Sequence, residues 1–224
     1  REKLSVQVHP GDEYAMKNEN ELGKTEAWYV IDAKPNAKLI VGTKNCTKKE
    51  FEKAIEENRT EDYLNVIDVK KGDAFLINSG MVHAICEGLI IAEIQQNSDV
   101  TYRVYDYGRQ RELHVKKSLD VIDFNLKAEN LSNSKNENFE IFDKVKLCKN
   151  KYFAMEKINI QNKYISSSEK ERFHIITCVD GEGSISGGSI SEEIKIGDSI
   201  LIPANLGQYE IVGNISVLRS YVTI

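Results

Sequence analysis

Three prolines and four cysteines are spread over 224 residues, and no apolar run approaches the length that crosses a bilayer. The cysteines, Cys46, Cys86, Cys148 and Cys178, lie far apart and form no Cys-x-x-Cys pair. That spacing excludes a cysteine-based zinc site and speaks against a two-disulfide framework. The chain opens on Arg1-Glu2-Lys3, so no secretory leader is expected. Positive charge is also in deficit: the formal net charge is −5, which argues against a surface built for nucleic acid or acidic lipid. An anionic small molecule stays possible, because a cleft needs only a few well-placed cations to hold one. A reduced, cytoplasmic, soluble protein is the expectation.

With 41% hydrophobic and 29% charged residues, the chain has the balance of a globular protein, long enough for two small domains or one large one. Its apolar runs are short and rich in Val, Ile and Tyr: 4–8, 27–31, 38–41, 74–77, 89–94 and 101–105. Gly, Asn and Asp punctuate them, the pattern of an all-β sandwich or barrel. Thr47-Lys-Lys-Glu50 is a capping box, and Phe51, Ala54 and Ile55 follow at helical spacing. A shorter helix is expected over 116–121 and a single turn over 12–16. Residues 125–138 turn to Asn, Ser, Lys and Glu and read as a linker. Strand patterns resume at 152–158, 173–179, 193–196, 199–202 and 215–224.

The halves share a faint repeat. Lys71-Gly-Asp-Ala-Phe-Leu-Ile-Asn-Ser-Gly80 is similar to Ile196-Gly-Asp-Ser-Ile-Leu-Ile-Pro-Ala-Asn205. Three residues beyond, the first copy has His83 and the second Gln208. A common fold with a single metal site is therefore expected.

Gln7 and His9 are two apart, so on a strand they share a face. Glu26 opens a strand pattern, and His83 follows the turn that ends the first repeat. Taken singly, these are polar residues on a solvated strand or a satisfied core histidine. Taken together, two imidazoles, a carboxylate and an amide oxygen suit Zn²⁺, with a position left for water or substrate.

The segments 4–10 (LSVQVHP), 23–29 (GKTEAWY), 80–85 (GMVHAI) and 92–109 (AEIQQNSDVTYRVYDYGR) resemble the type I mannose-6-phosphate isomerases in their short bacterial form. The resemblance implies a cupin-superfamily protein, mainly β, with two cupin-like (jelly-roll) β-barrels and a few short helices. It divides the chain into a metal-binding barrel (1–124) with an inserted helix, the linker, and a second barrel (139–224) without a metal site. It implies that Gln7, His9, Glu26 and His83 hold one zinc ion, and that Lys24 and Arg103 belong to the active site. The implied substrate is a sugar phosphate, mannose 6-phosphate, interconverted with fructose 6-phosphate. Two departures stand out. Asn78-Ser79-Gly80 replaces the Pro-x-Gly common in cupins, and family members normally carry residues upstream of Arg1 that supply opening strands of the first barrel.

Isomerisation requires a C2 proton to leave, so a base is sought as well. Glu93, ten residues before Arg103 on what should be a facing pair of strands, is the candidate carboxylate, and a structural ion pair is its bland alternative. Lys24, two before Glu26, is read either as a strand-end cation or as a group that positions a hydroxyl. Arg103 suits phosphate or an enediolate. Arg109 and Arg111 are read as loop decoration, His114 and His174 as structural, and Trp28 as a core residue pointing away from Glu26. Two other readings remain open: a cupin oxygenase with non-haem iron, and a non-catalytic sugar-phosphate-binding module.

Overall fold

A computed structural model describes residues 3–133, 136–138 and 141–223. It separates into two compact units, Arg1–Asn130 and Leu131–Ile224, and both are mainly β.

The first unit contains β1 (Val6–Val8), α1 (Asp12–Glu19), β2 (Glu26–Ala33), β3 (Lys38–Thr43), α2 (Lys48–Glu56), β4 (Leu64–Asp68), β5 (Ala74–Ile77), β6 (His83–Ile85), β7 (Leu89–Gln95), β8 (Tyr102–Tyr105) and α3 (Val115–Val121). A five-stranded sheet runs in the order β4-β3-β6-β1-β8, and a three-stranded sheet runs β5-β2-β7. Strand alternation gives the larger sheet two different faces. Val6, Val8, Ile40, Ala84, Tyr102 and Val104 join Phe51 of α2 and Leu119 of α3 in one core cluster. The alternate residues Leu39 and Val41 pack instead with Trp28, Phe75 and Ile77 of the smaller sheet. Gln7, opposite both His83 and Arg103, lies on this second face. The parity that buries β1 on one side therefore aims its single polar residue at the other sheet.

Local signals account for the helices. Thr47 accepts from the Glu50 N–H while Glu50 receives the Thr47 N–H, the expected reciprocal cap of α2. Where a single turn is expected at 12–16, α1 runs two turns and stops at Asn20, which takes the left-handed conformation at φ 56°.

The second unit contains β9 (Asn136–Asn138), β10 (Phe142–Lys149), β11 (Phe153–Ile160), β12 (Lys163–Ser167), β13 (His174–Gly187), β14 (Ile190–Lys195), β15 (Ser199–Ile202) and β16 (Gln208–Val222). Its sheet runs β14-β13-β16-β11-β10-β9, with β12 on β16 and β15 on β13. Ile158, Ile176, Val217 and Tyr209 are among the buried residues that cluster in its core. The polar segment 125–138 straddles the division: Lys127 bridges to Gly42 and Asn130 to Phe75, while Asn136–Asn138 pairs with β10. No barrel closed by hydrogen bonds is found among the described residues, whose strand orders are open at both ends.

Candidate metal centre

Three chain segments converge between the two sheets. His9 Nε2 lies 3.5 Å from Glu26 Oε2, and His83 Nε2 lies 3.4 Å from Glu26 Oε1. The Gln7 amide meets His83 Nε2 at 3.2 Å. All three charged or imidazole side chains are about 1% exposed. Each histidine has its tautomer set from behind. His9 Nδ1–H donates to the Val100 carbonyl at 2.8 Å, and His83 Nδ1–H donates to the Met81 carbonyl at 2.9 Å. A carbonyl only accepts, so the proton sits on Nδ1 and the Nε2 lone pair of each ring faces Glu26.

Burial dominates the electrostatics. It lowers His9 to about 2, with His83 beside it adding to the effect, and it lowers His83 to about 4. Both rings are therefore neutral at physiological pH. Burial pushes Glu26 upward, opposed chiefly by Lys24. Lys24 Nζ stands 3.5 Å from Glu26 Oε2 and 3.8 Å from Glu93 Oε1, an ammonium between two carboxylates. Burial, and then the neighbouring Glu26, raise Glu93 to about 7.

A metal ion fits this donor set. His9 Nε2 and Glu26 Oε2 are buried with no hydrogen-bond partner among the described residues, a cost that native interiors rarely leave uncompensated. The ligand atoms of His9, Glu26 and His83 lie within 4.8 Å of one another. Donors about 2.1 Å from a tetrahedral ion stand about 3.4 Å apart, close to the separations found here. The Gln7 amide can present either of its ends, and its oxygen is the one a metal would take.

The remaining residues separate by role. Glu93 sits on β7 across from Trp28, in the smaller sheet, whereas Arg103 sits on β8 in the larger one. The two share no ladder. Arg103 is partly exposed; its Nη1 donates to the Glu112 carbonyl at 2.7 Å, and its backbone N–H donates to His114 Nδ1. Arg109 and Arg111 are more than decoration: both bind the buried Asp106 carboxylate, each with an Nη2–Oδ1 distance of 2.6 Å. His174 is internally satisfied by the Tyr209 hydroxyl at 3.0 Å.

Trp28 corrects the expectation. It lies two residues from Glu26 and so shares its face, and its ring stands edge-on to His83 at 5.5 Å between centroids. The indole is a wall of the site, a placement that strand parity alone could have given.

The family described as "Mannose-6-phosphate isomerase, cupin domain" matches residues 143–222. Mannose-6-phosphate isomerase ManA of Bacillus subtilis is 40% identical over 225 residues, covering 97% of this chain and 71% of that protein. The mannose-6-phosphate isomerase of Streptococcus mutans is 33% identical, with 97% and 70% covered. A crystal structure of the Bacillus subtilis enzyme superposes with a TM-score of 0.90 at 33% identity, covering 98% of this chain and 72% of that one. A putative mannosephosphate isomerase from Archaeoglobus fulgidus shares the fold at a TM-score of 0.78 and 21% identity.

Proposed function

This chain belongs to the mannose-6-phosphate isomerase family, and we propose that it interconverts mannose 6-phosphate and fructose 6-phosphate at the centre formed by Gln7, His9, Glu26 and His83. The observation that carries this reading is the convergence of two tautomer-fixed imidazoles on one buried carboxylate. The set of nitrogen and oxygen donors suits Zn²⁺, and the absence of a thiolate among them leaves no softer metal favoured. Each unit is read as a cupin-like (jelly-roll) barrel, the first bearing the metal. The substrate is a sugar phosphate, and a cytoplasmic setting fits both that substrate and the four free cysteines.

Aldose–ketose isomerisation moves hydrogen between C1 and C2 of an open-chain sugar, and its difficult step is loss of the C2 proton. A bound divalent ion supplies Lewis acidity toward the sugar's oxygens. Glu93, reaching the site from β7 with a third of its side chain exposed, is placed to take and return the proton. Lys24, 12% exposed between Glu26 and Glu93, donates hydrogen bonds to a sugar hydroxyl and holds Glu93 in place. Arg103 shares its strand face with Gln7 and offers a guanidinium to phosphate or to the developing oxyanion.

A coupled assay converting mannose 6-phosphate, run beside zinc analysis, tests the proposal. Chelation is expected to abolish turnover and zinc to restore it, and Glu26→Gln or His83→Ala is expected to lose both zinc and roughly a hundredfold or more in rate. Undiminished turnover by the fully chelated chain would overturn it.

A further inference from the structure

Lys24 and the start of β2 are delivered by residues 20–25, a loop with no helix or strand of its own. It is fixed by hydrogen bonds to two other segments. Lys24 N–H donates to the Pro10 carbonyl at 3.0 Å, and Gly23 N–H donates to Asp12 Oδ1 at 3.1 Å. Thr25 N–H donates to Gln96 Oε1 at 2.8 Å, while the Gln96 backbone N–H donates to the Thr25 carbonyl at 3.0 Å. The other end of the same amide, Nε2, donates to Asp12 Oδ1 at 3.0 Å. Ser98 extends the contact: its hydroxyl donates to the Leu22 carbonyl at 2.7 Å and accepts the Val100 N–H at 3.3 Å. Val100 is the residue whose carbonyl fixes the His9 tautomer.

The two ends of the Gln96 amide are not interchangeable. A backbone N–H demands an oxygen at one end, and a carboxylate demands a donor at the other. Gln96 is 8% exposed, so water cannot readily replace either partner. Its bonds go to the Thr25 backbone and to Asp12, one residue before Glu26 and one helix away from Lys24.

We infer that Gln96 is a positioning residue for the metal and proton-handling site, acting through Thr25 and Asp12 to set where β2 begins and so where Glu26 and Lys24 stand. The inference rests on the reading of that site given above. Partners that hydrogen-bond metal ligands directly contribute about 10–100-fold to metal affinity or activity, and Gln96, one backbone link further out, is set at the lower end of that range.

Altering the two ends of the amide tests it. Gln96→Glu keeps an acceptor for the Thr25 N–H but sets a carboxylate against Asp12 Oδ1, the oxygen that also accepts the Gly23 N–H, whereas Gln96→Met removes both ends of the amide at similar size. Zn²⁺ affinity is measured by competition with a chromophoric chelator, and kcat and KM with mannose 6-phosphate, on variants whose circular dichroism shows a folded chain. Both variants are expected to weaken zinc binding and kcat about tenfold with little change in KM. Zinc affinity unchanged in either variant, or a loss confined to KM, overturns the inference. If the parent chain binds zinc but does not isomerise, the functional proposal falls while the zinc measurements still decide the role of Gln96.

Discussion

Glu26 and His174 hold the same register position in their respective units. Glu26 lies across from Ile77 and His174 across from Ile202, and these two isoleucines correspond in the Gly-Asp repeat. The correspondence extends to the next strand, where Glu93 opposes Trp28 and Arg219 opposes Ile176. The second unit thus carries an imidazole and a guanidinium where the first carries two carboxylates, and its polar groups satisfy one another.

Arg219 shows what that exchange does for stability. Its Nε and Nη2 donate to Glu156 Oε2 at 3.0 and 2.5 Å, and its Nη1 donates to Tyr164 and Ser166. The Glu156 side chain is 3% exposed, so Arg219→Met strands a buried carboxylate, at a cost of about 3–5 kcal/mol. Urea unfolding reads this directly. A loss below about 1 kcal/mol, the range of a surface pair, would contradict it. Zinc content should match that of the parent chain.

Gly23 is required for space. A Cβ there would fall 2.5 Å from both the Asp12 nitrogen and the Gly11 carbonyl carbon, and 2.7 Å from the Pro10 oxygen. These are backbone atoms, which cannot swing aside. Gly23→Ala is expected to destabilise the chain by about 1–3 kcal/mol and to weaken zinc binding through the displaced Lys24–Glu26 segment. Chelator competition alongside thermal melting checks both effects, and a variant with parental zinc affinity would show that the loop does not position the carboxylate.

Glu93 and Arg103 should separate kinetically from the metal ligands. Glu93→Gln keeps the size of the side chain and removes its basicity, so kcat is expected to fall about 10²–10⁴-fold with zinc retained. Arg103→Met is expected to lower kcat/KM about 10²–10³-fold, again with zinc retained. Steady-state kinetics with parallel metal analysis decides. Either variant near parental activity would remove that residue from the mechanism.

Acid should act at Asp106. Arg111, and then Arg109, hold this buried carboxyl below its ordinary value of 3.8. The folded chain therefore binds fewer protons here than the unfolded chain, so the contribution is full above the unfolded value and is lost as pH falls through the lower folded one. The urea midpoint is expected to drop as pH falls through and below the ordinary carboxyl value, and Asp106→Asn to start lower at neutral pH and fall less steeply. Parallel pH profiles for the two chains would refute the assignment.

Much of the centre is legible in the chain. Gln7 on a short strand and His9 just past its end are two residues apart, the spacing that puts both on one face, and His83 follows the turn that closes the first repeat. Strand lengths were less accessible. β13 and β16 run 14 and 15 residues, well past the expected 173–179 and 215–224, through a stretch rich in glycine. Those glycines are not breaks: a Cβ at Gly181 would meet the Asn214 oxygen at 2.2 Å, and one at Gly183 would meet the Val212 oxygen at 2.3 Å. They let two paired strands approach closely, which composition alone reads as turn.

The sequence by itself determined which side chains were available for chemistry, and on which face of its own strand each one points, because backbone alternation is local. Only the tertiary structure decided that these faces oppose one another. Gln7 meets a histidine 76 positions away, His9 takes its tautomer from a carbonyl 91 positions away, and Gln96 joins the loop of Lys24 across 71. Such partners are fixed by sheet register and burial, which arise when distant segments pack and leave no trace in the periodicity of any one of them.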